Sequence, residues 1–120
     1  MTIVAGWILV VLGVGHTVVG LVRFKKPLTE AIRAGFVGQF VGYPDRLSAF
    51  WFMIFGPLLV MVGHMAIHAA HAADRELLKI IGFYLIAVTA AGSLAQPTSP
   101  FWVGLVSALI FIGAGYGRIS

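Results

Sequence analysis

The chain has 120 residues, of which 60% are apolar and 10% are charged. A soluble domain has about 45 to 50% apolar and about 25% charged residues, so this composition excludes a water-soluble globule and a disordered segment. The length instead suits about four membrane-spanning helices of roughly 20 residues each. Because the sequence has no cysteine, it also excludes disulfides, thiolate metal sites and cysteine nucleophiles.

Apolar runs of spanning length recur along the chain. They cover residues 3–22, 47–70, 77–94 and 101–116. Short polar connections separate them, and short connections join antiparallel neighbours in helical bundles. We therefore predict an all-α, polytopic membrane protein, in which residues 1–120 form a single transmembrane domain built as an up-down bundle of four transmembrane helices.

The segment 27–42 is too polar to span a membrane, because it contains Pro27, Glu30, Arg33 and Gln39. Its apolar residues recur at a helical period, with Glu30 and Arg33 on the opposite side. The pattern predicts a short interfacial helix after helix one.

Basic residues are scattered at the ends of the apolar runs. Five of them lie on the side of the first connection and three on the other side: Arg23, Lys25, Lys26, Arg33 and Arg46 against Arg75, Lys79 and Arg118. Cytoplasmic loops carry the excess of basic residues, so this connection is predicted to be cytoplasmic and both termini extracytoplasmic. Scattered basic residues also favour membrane lipids over nucleic acid as partners.

Three histidines recur near the end of the second run. His64, His68 and His71 are spaced by four and three residues, which places them on one stripe of a helix. Imidazole is a ligand for transition metals and haem iron, so the stripe is a candidate site for either cofactor. The alternative is that His68 and His71 lie at the membrane surface and that His64 bonds a neighbouring helix.

His16 lies deeper, inside the first run, where a polar side chain usually faces the bundle interior. Its simplest role is one interhelical hydrogen bond, to Thr89, Ser93 or Ser107. A second possibility starts from Pro57, which is expected to bend helix two away from its neighbours at Gly56.

Such a bend would open an apolar cavity for a lipid or another hydrophobic small molecule. The candidate lining residues are His16, Phe52, Phe55 and Tyr84.

Three segments carry a resemblance to known proteins: Gly13 to His16, Ala49 to Pro57, and Pro97 to Trp102. Read together, they resemble a family of small bacterial four-span membrane proteins of unknown function. The resemblance implies a location in the bacterial inner membrane and transfers no catalytic or binding residue.

No carboxylate lies inside any apolar run, and no nucleophile or phosphate-loop motif is present, so an enzyme is not favoured. Small residues such as Gly104 and Ala108 suit close helix contact. We therefore expect an integral membrane protein that works by helix packing, as a homo-oligomer or as an accessory subunit of a larger membrane complex. The alternative is a membrane-embedded binding protein, for a metal or haem on the His64, His68 and His71 stripe, or for a lipid-like molecule.

Overall fold

The computed structural model describes residues 1–120 and contains five α-helices and no strand. The helices are α1 (Thr2–Arg23), α2 (Lys25–Arg33), α3 (Pro44–His71), α4 (Arg75–Ala95) and α5 (Phe101–Gly115). The prediction of an all-α fold is confirmed. Each predicted apolar run coincides with a helix, because uninterrupted apolar sequence keeps its backbone hydrogen bonds within the helix.

Three of these helices are long and apolar enough to cross a membrane, namely α1, α3 and α4, with 22, 28 and 21 residues. The fourth apolar helix, α5, has only 15 residues. At 1.5 Å per residue it is about 22 Å long, which is shorter than a hydrocarbon core of about 30 Å. The structure therefore gives three helices of spanning length, and not clearly the four that were predicted.

The predicted interfacial segment is helical over only part of its length. α2 ends at Arg33, and residues 34–42 form turns and a bend. Gly35 (φ +106°) and Phe36 (φ +68°) both have left-handed backbone conformations, which stop the helix. Arg46 then contacts this turn segment, because its Nη1 donates a 3.2 Å hydrogen bond to the carbonyl of Gln39.

The connection between α3 and α4 is tight. Ala73 has a φ of +54°, and the N–H of Asp74 bonds the carbonyl of Ala69 at 2.8 Å, which closes the C-terminus of α3. The Asp74 carboxylate then accepts a 3.0 Å hydrogen bond from the N–H of Leu77. Asp74 therefore caps the N-terminus of α4.

The residues cluster into two compact units, Val11–Val60 and Met1–Val10 with Met61–Ser120. The second unit contains α4 and α5, which pack against each other through small residues. A Cβ added to Gly82 would lie 2.6 Å from Cγ1 of Ile112, and one added to Gly104 would lie 2.7 Å from Cγ2 of Thr89. The small-residue face of α5 is therefore occupied by α4.

Candidate functional site

His16 lies in the Val11–Val60 unit, where α1 and α3 pack closely. Its Nε2 is 2.8 Å from the backbone carbonyl oxygen of Phe52. A carbonyl oxygen only accepts, so Nε2 donates and carries the ring proton. The hydrogen bond is interhelical, as expected, but its acceptor is a backbone carbonyl of α3 and not the hydroxyl of Thr89, Ser93 or Ser107.

The faces of the His16 ring contact aromatic side chains of α3. Its ring stacks on Phe52, with centroids 3.8 Å apart and an interplanar angle of 16°. Phe55 meets it edge-on, with centroids 5.4 Å apart. The hydrogen bond and the stack together fix the ring against α3.

Three of the four residues predicted to line a ligand cavity are thus brought together, namely His16, Phe52 and Phe55. The stacked rings leave no room for a ligand between His16 and Phe52. Tyr84 belongs to the other unit, where it is 75% exposed on α4. Binding of a hydrophobic molecule by these residues stays a prediction.

The helices expected to separate at Gly56 are in close contact there, because Gly56 packs against Gly13 and Thr17 of α1. α3 remains helical through Pro57. A Cβ added to Gly13 would lie 2.7 Å from the carbonyl oxygen of Gly56 and 2.8 Å from the backbone nitrogen of Val60. Gly56 in turn packs against the side chain of Thr17. Both glycines are needed because any side chain would hold the two backbones apart.

A signal for this packing is present in the sequence, although the predictions above did not use it. Glycines recur every seven residues on both helices: Gly6, Gly13 and Gly20 on α1, and Gly56 and Gly63 on α3. A seven-residue repeat keeps one face of a helix against a partner. In the second unit, a Cβ on Gly63 would likewise lie 2.6 Å from the carbonyl oxygen of Gly6.

His64, His68 and His71 are all exposed on α3. None of their ring nitrogens has a hydrogen-bond partner. Met61 and Met65, which are 49% and 41% exposed, lie on the same side. The histidine stripe therefore faces out of the chain.

The three histidines are not grouped closely enough within one chain to bind a single metal ion together. The structure contains no group of three or more His, Cys, Asp or Glu side chains that could hold a metal ion. The reason is geometric, since His64 and His71 are separated by about 10 Å along the helix axis, whereas a metal ion binds imidazole nitrogen at about 2 Å.

These features define a small helical protein in which three helices are long and apolar enough to cross a membrane. The chain belongs to DUF6463, a family of unknown function whose sequence profile matches residues 1–117. No curated protein and no solved structure matches the chain significantly. Membership agrees with the predicted resemblance to a family of unknown function and assigns no role to any residue.

Proposed function

We propose that this chain is an integral membrane protein that works by pairing with a second copy of itself through one exposed face of α3. This α3 face consists of Met61, His64, Met65 and His68, which are all exposed. The observation that carries the proposal is the outward position of His64 and His68 on a helix of spanning length.

Histidines within a membrane-spanning helix almost always face protein or water, because hydrocarbon offers their ring nitrogens no partner. His64 is about 10 Å along the axis from the end of α3 at His71, which places it below the helix end. Another polypeptide covering the α3 face would supply the missing hydrogen-bond partner.

A second copy suits this face chemically. A neutral imidazole has one N–H donor and one acceptor nitrogen, so the same stripe on two chains can bond reciprocally about a two-fold axis. The surrounding methionines adapt to an irregular contact surface. The small-residue faces of α4 and α5 are occupied by each other, so they are not free for contact with a second copy.

Site-directed cross-linking in lipid bilayers tests the proposal. The chain has no cysteine, so a single substitution introduces the only thiol. Met65→Cys probes the α3 face, and Ile80→Cys on α4 is the matched control. Both are exposed apolar positions, 41% and 52%; Met65 lies six residues before the end of α3 and Ile80 lies five residues after the start of α4.

We expect a bismaleimide to give a covalent dimer with Met65→Cys at a dilution in lipid at which Ile80→Cys stays monomeric. The double variant His64→Leu/His68→Leu, combined with Met65→Cys, should lose most of that dimer. Equal cross-linking at Met65→Cys and Ile80→Cys would contradict the proposal, as would a strict monomer by native mass spectrometry in mild detergent.

The membrane in this proposal is the inner membrane of a bacterium, crossed by four helices with α5 as the shortest. The excess of basic residues around the first connection supports a cytoplasmic location for it, with the termini on the other side. An accessory subunit of a larger complex would use the same α3 face, but would co-purify with a different polypeptide at fixed stoichiometry.

Metal binding is the second candidate function, and the exposure of the histidine stripe favours it only in a dimer. Two copies would present imidazole nitrogens and the thioether sulfurs of Met61 and Met65 to each other, a donor set that suits soft transition metals. Elemental analysis of protein purified without nickel would detect a stoichiometric metal, and the absorption spectrum of the same sample would detect haem.

A further inference from the structure

The unit that contains α4 and α5 also has a cavity that is partly lined by polar residues. This cavity of about 420 Å³ opens where α1 begins, α3 meets α4, and α5 ends. Its polar side chains are those of Thr2, Arg75, Arg118 and Ser120, and the backbone of Gly117 forms part of the wall. We propose that this cavity binds the phosphate of an anionic phospholipid headgroup.

The charges around the cavity favour an anion. Arg75 and Arg118 are both exposed and neither forms an ion pair within the chain. No acidic side chain lines the cavity. Of the two acidic residues beside Arg75, Glu76 pairs with Lys79 at 2.7 Å, and the Asp74 carboxylate accepts a hydrogen bond from the N–H of Leu77. Two guanidinium groups without carboxylate partners are a common way of binding phosphate.

The backbone holds one of these groups in place. A Cβ added to Gly117 would lie 3.0 Å from Nη1 and 3.3 Å from Cζ of Arg75, so the guanidinium packs directly on this glycine. Gly117 also has a φ of +73°, which a larger residue rarely adopts. Arg75 is the first residue of α4, so the positive end of that helix dipole adds to the attraction.

Thr2 provides an independent observation that points to a polar ligand. The residue is 3% exposed, and its hydroxyl is buried without a hydrogen-bond partner. Leaving a buried hydroxyl unpaired costs about 1 to 3 kcal/mol, so such groups normally find a partner. An oxygen of a bound phosphate or of its glycerol ester would accept the proton of this hydroxyl.

The position along the helices indicates a lipid as the source of the phosphate. The cavity lies at the ends of three helices of spanning length, where α1 begins, α3 ends and α4 begins. Headgroups occupy this depth in a bilayer. The inference rests on the chain crossing a membrane, and it does not depend on pairing through the α3 face.

Lipid binding to the full chain in detergent, followed by native mass spectrometry, tests the inference. The probes are phosphatidylglycerol, zwitterionic phosphatidylcholine and inorganic phosphate. The variants are Arg118→Gln and Arg75→Gln/Arg118→Gln. Arg33→Gln is the matched control, since it removes the same charged group from an exposed position in the other unit.

We expect the double variant to bind phosphatidylglycerol about tenfold or more weakly, because a charged hydrogen bond contributes about 1.5 to 3 kcal/mol. Arg118→Gln alone should lose part of the affinity, and it provides the test if the double variant does not fold. Arg33→Gln should bind nearly as the unmodified chain does, and phosphatidylcholine should bind more weakly than phosphatidylglycerol.

Two results would overturn the inference. One is an equal loss of affinity in Arg33→Gln and in Arg118→Gln, which would mean that net charge alone attracts the lipid. The other is displacement of phosphatidylglycerol by millimolar inorganic phosphate, which would make free phosphate the ligand of the cavity.

Discussion

Two helix pairs in this protein pack closely, but their polar side chains form different kinds of hydrogen bond. In the Val11–Val60 unit, α1 and α3 meet backbone to backbone at Gly13, and His16 donates a hydrogen bond across the contact to Phe52. In the other unit, α4 and α5 also pack through glycines, but the hydroxyl of Thr89 bonds the carbonyl of Leu85 in its own helix at 2.7 Å. Ser93 is buried there without any partner.

The difference matters because helices are already formed before they associate in a membrane. A hydrogen bond within one helix, such as that of Thr89, exists in the separated helix as well as in the packed one, so it adds little to association. The His16 bond forms only when α3 lies in one position against α1. The α1–α3 pair is therefore fixed by shape and by a directional bond, and the α4–α5 pair by shape alone.

The largest effect should come from a close backbone contact between α1 and α3. Gly13→Ala places a methyl group 2.7 Å from the carbonyl oxygen of Gly56 and from Cγ2 of Val60, so the helices must move apart. Overpacking of this kind costs about 1 to 3 kcal/mol of unfolding free energy. Unfolding in mixed micelles of mild detergent and dodecyl sulfate, followed by tryptophan fluorescence, would measure it.

Gly15→Ala is the matched control for this prediction, because nothing lies within 4 Å of a Cβ added at that position. The same chemical change two residues away should leave the unfolding free energy unchanged or raise it slightly. If Gly13→Ala proves as harmless as Gly15→Ala, close backbone contact does not hold the α1–α3 pair together.

A smaller effect is expected from removing the directional bond. His16→Phe keeps an aromatic ring to stack on Phe52 but has no N–H for its carbonyl. Interhelical hydrogen bonds in membranes average about 0.6 kcal/mol, with larger values near 1.7 kcal/mol, so we expect a loss of about 1 kcal/mol in the same unfolding measurement.

Thr17→Val is the control for His16→Phe, because the Thr17 hydroxyl bonds the carbonyl of Gly13 in its own helix at 2.9 Å. Valine has nearly the same shape and keeps the contact with Gly56. An equal loss of unfolding free energy in Thr17→Val and His16→Phe would contradict this prediction. It would show that a hydrogen bond between helices stabilises the pair no more than a hydrogen bond within one helix.

Much of the fold follows from the sequence. The apolar runs predicted the positions of α1, α3, α4 and α5, because a helix is the natural conformation for such a run in a membrane. The Asp74 cap also depends on local sequence alone, because Asp immediately before a helix is a typical N-cap residue. The end of α2 did not follow from the sequence. Two residues with left-handed backbone conformations, Gly35 and Phe36, end this helix earlier than the period of its apolar residues suggested.

The surroundings of the histidines were harder to predict. Lipid is as apolar as a protein interior, so the residues around His16 and His64 do not reveal which side of a helix is covered. The hydroxyls considered as partners for His16 are side chains, whereas the acceptor is a backbone carbonyl that no sequence motif marks. The seven-residue glycine repeat does mark the covered face, and it correctly separates buried Gly13 from exposed Gly15.

The smallest effect is predicted for the α4–α5 pair. Thr89→Val removes the hydroxyl bond to Leu85 but keeps the methyl group that packs on Gly104. Because that bond is equally present in isolated α4, its loss should change the unfolding free energy by about 0.3 kcal/mol or less, below the loss in His16→Phe. The same fluorescence titration would compare the two variants directly. A loss in Thr89→Val as large as that in His16→Phe would mean that the Thr89 hydroxyl stabilises the packed pair, and the two helix pairs would then be held by polar groups to the same degree.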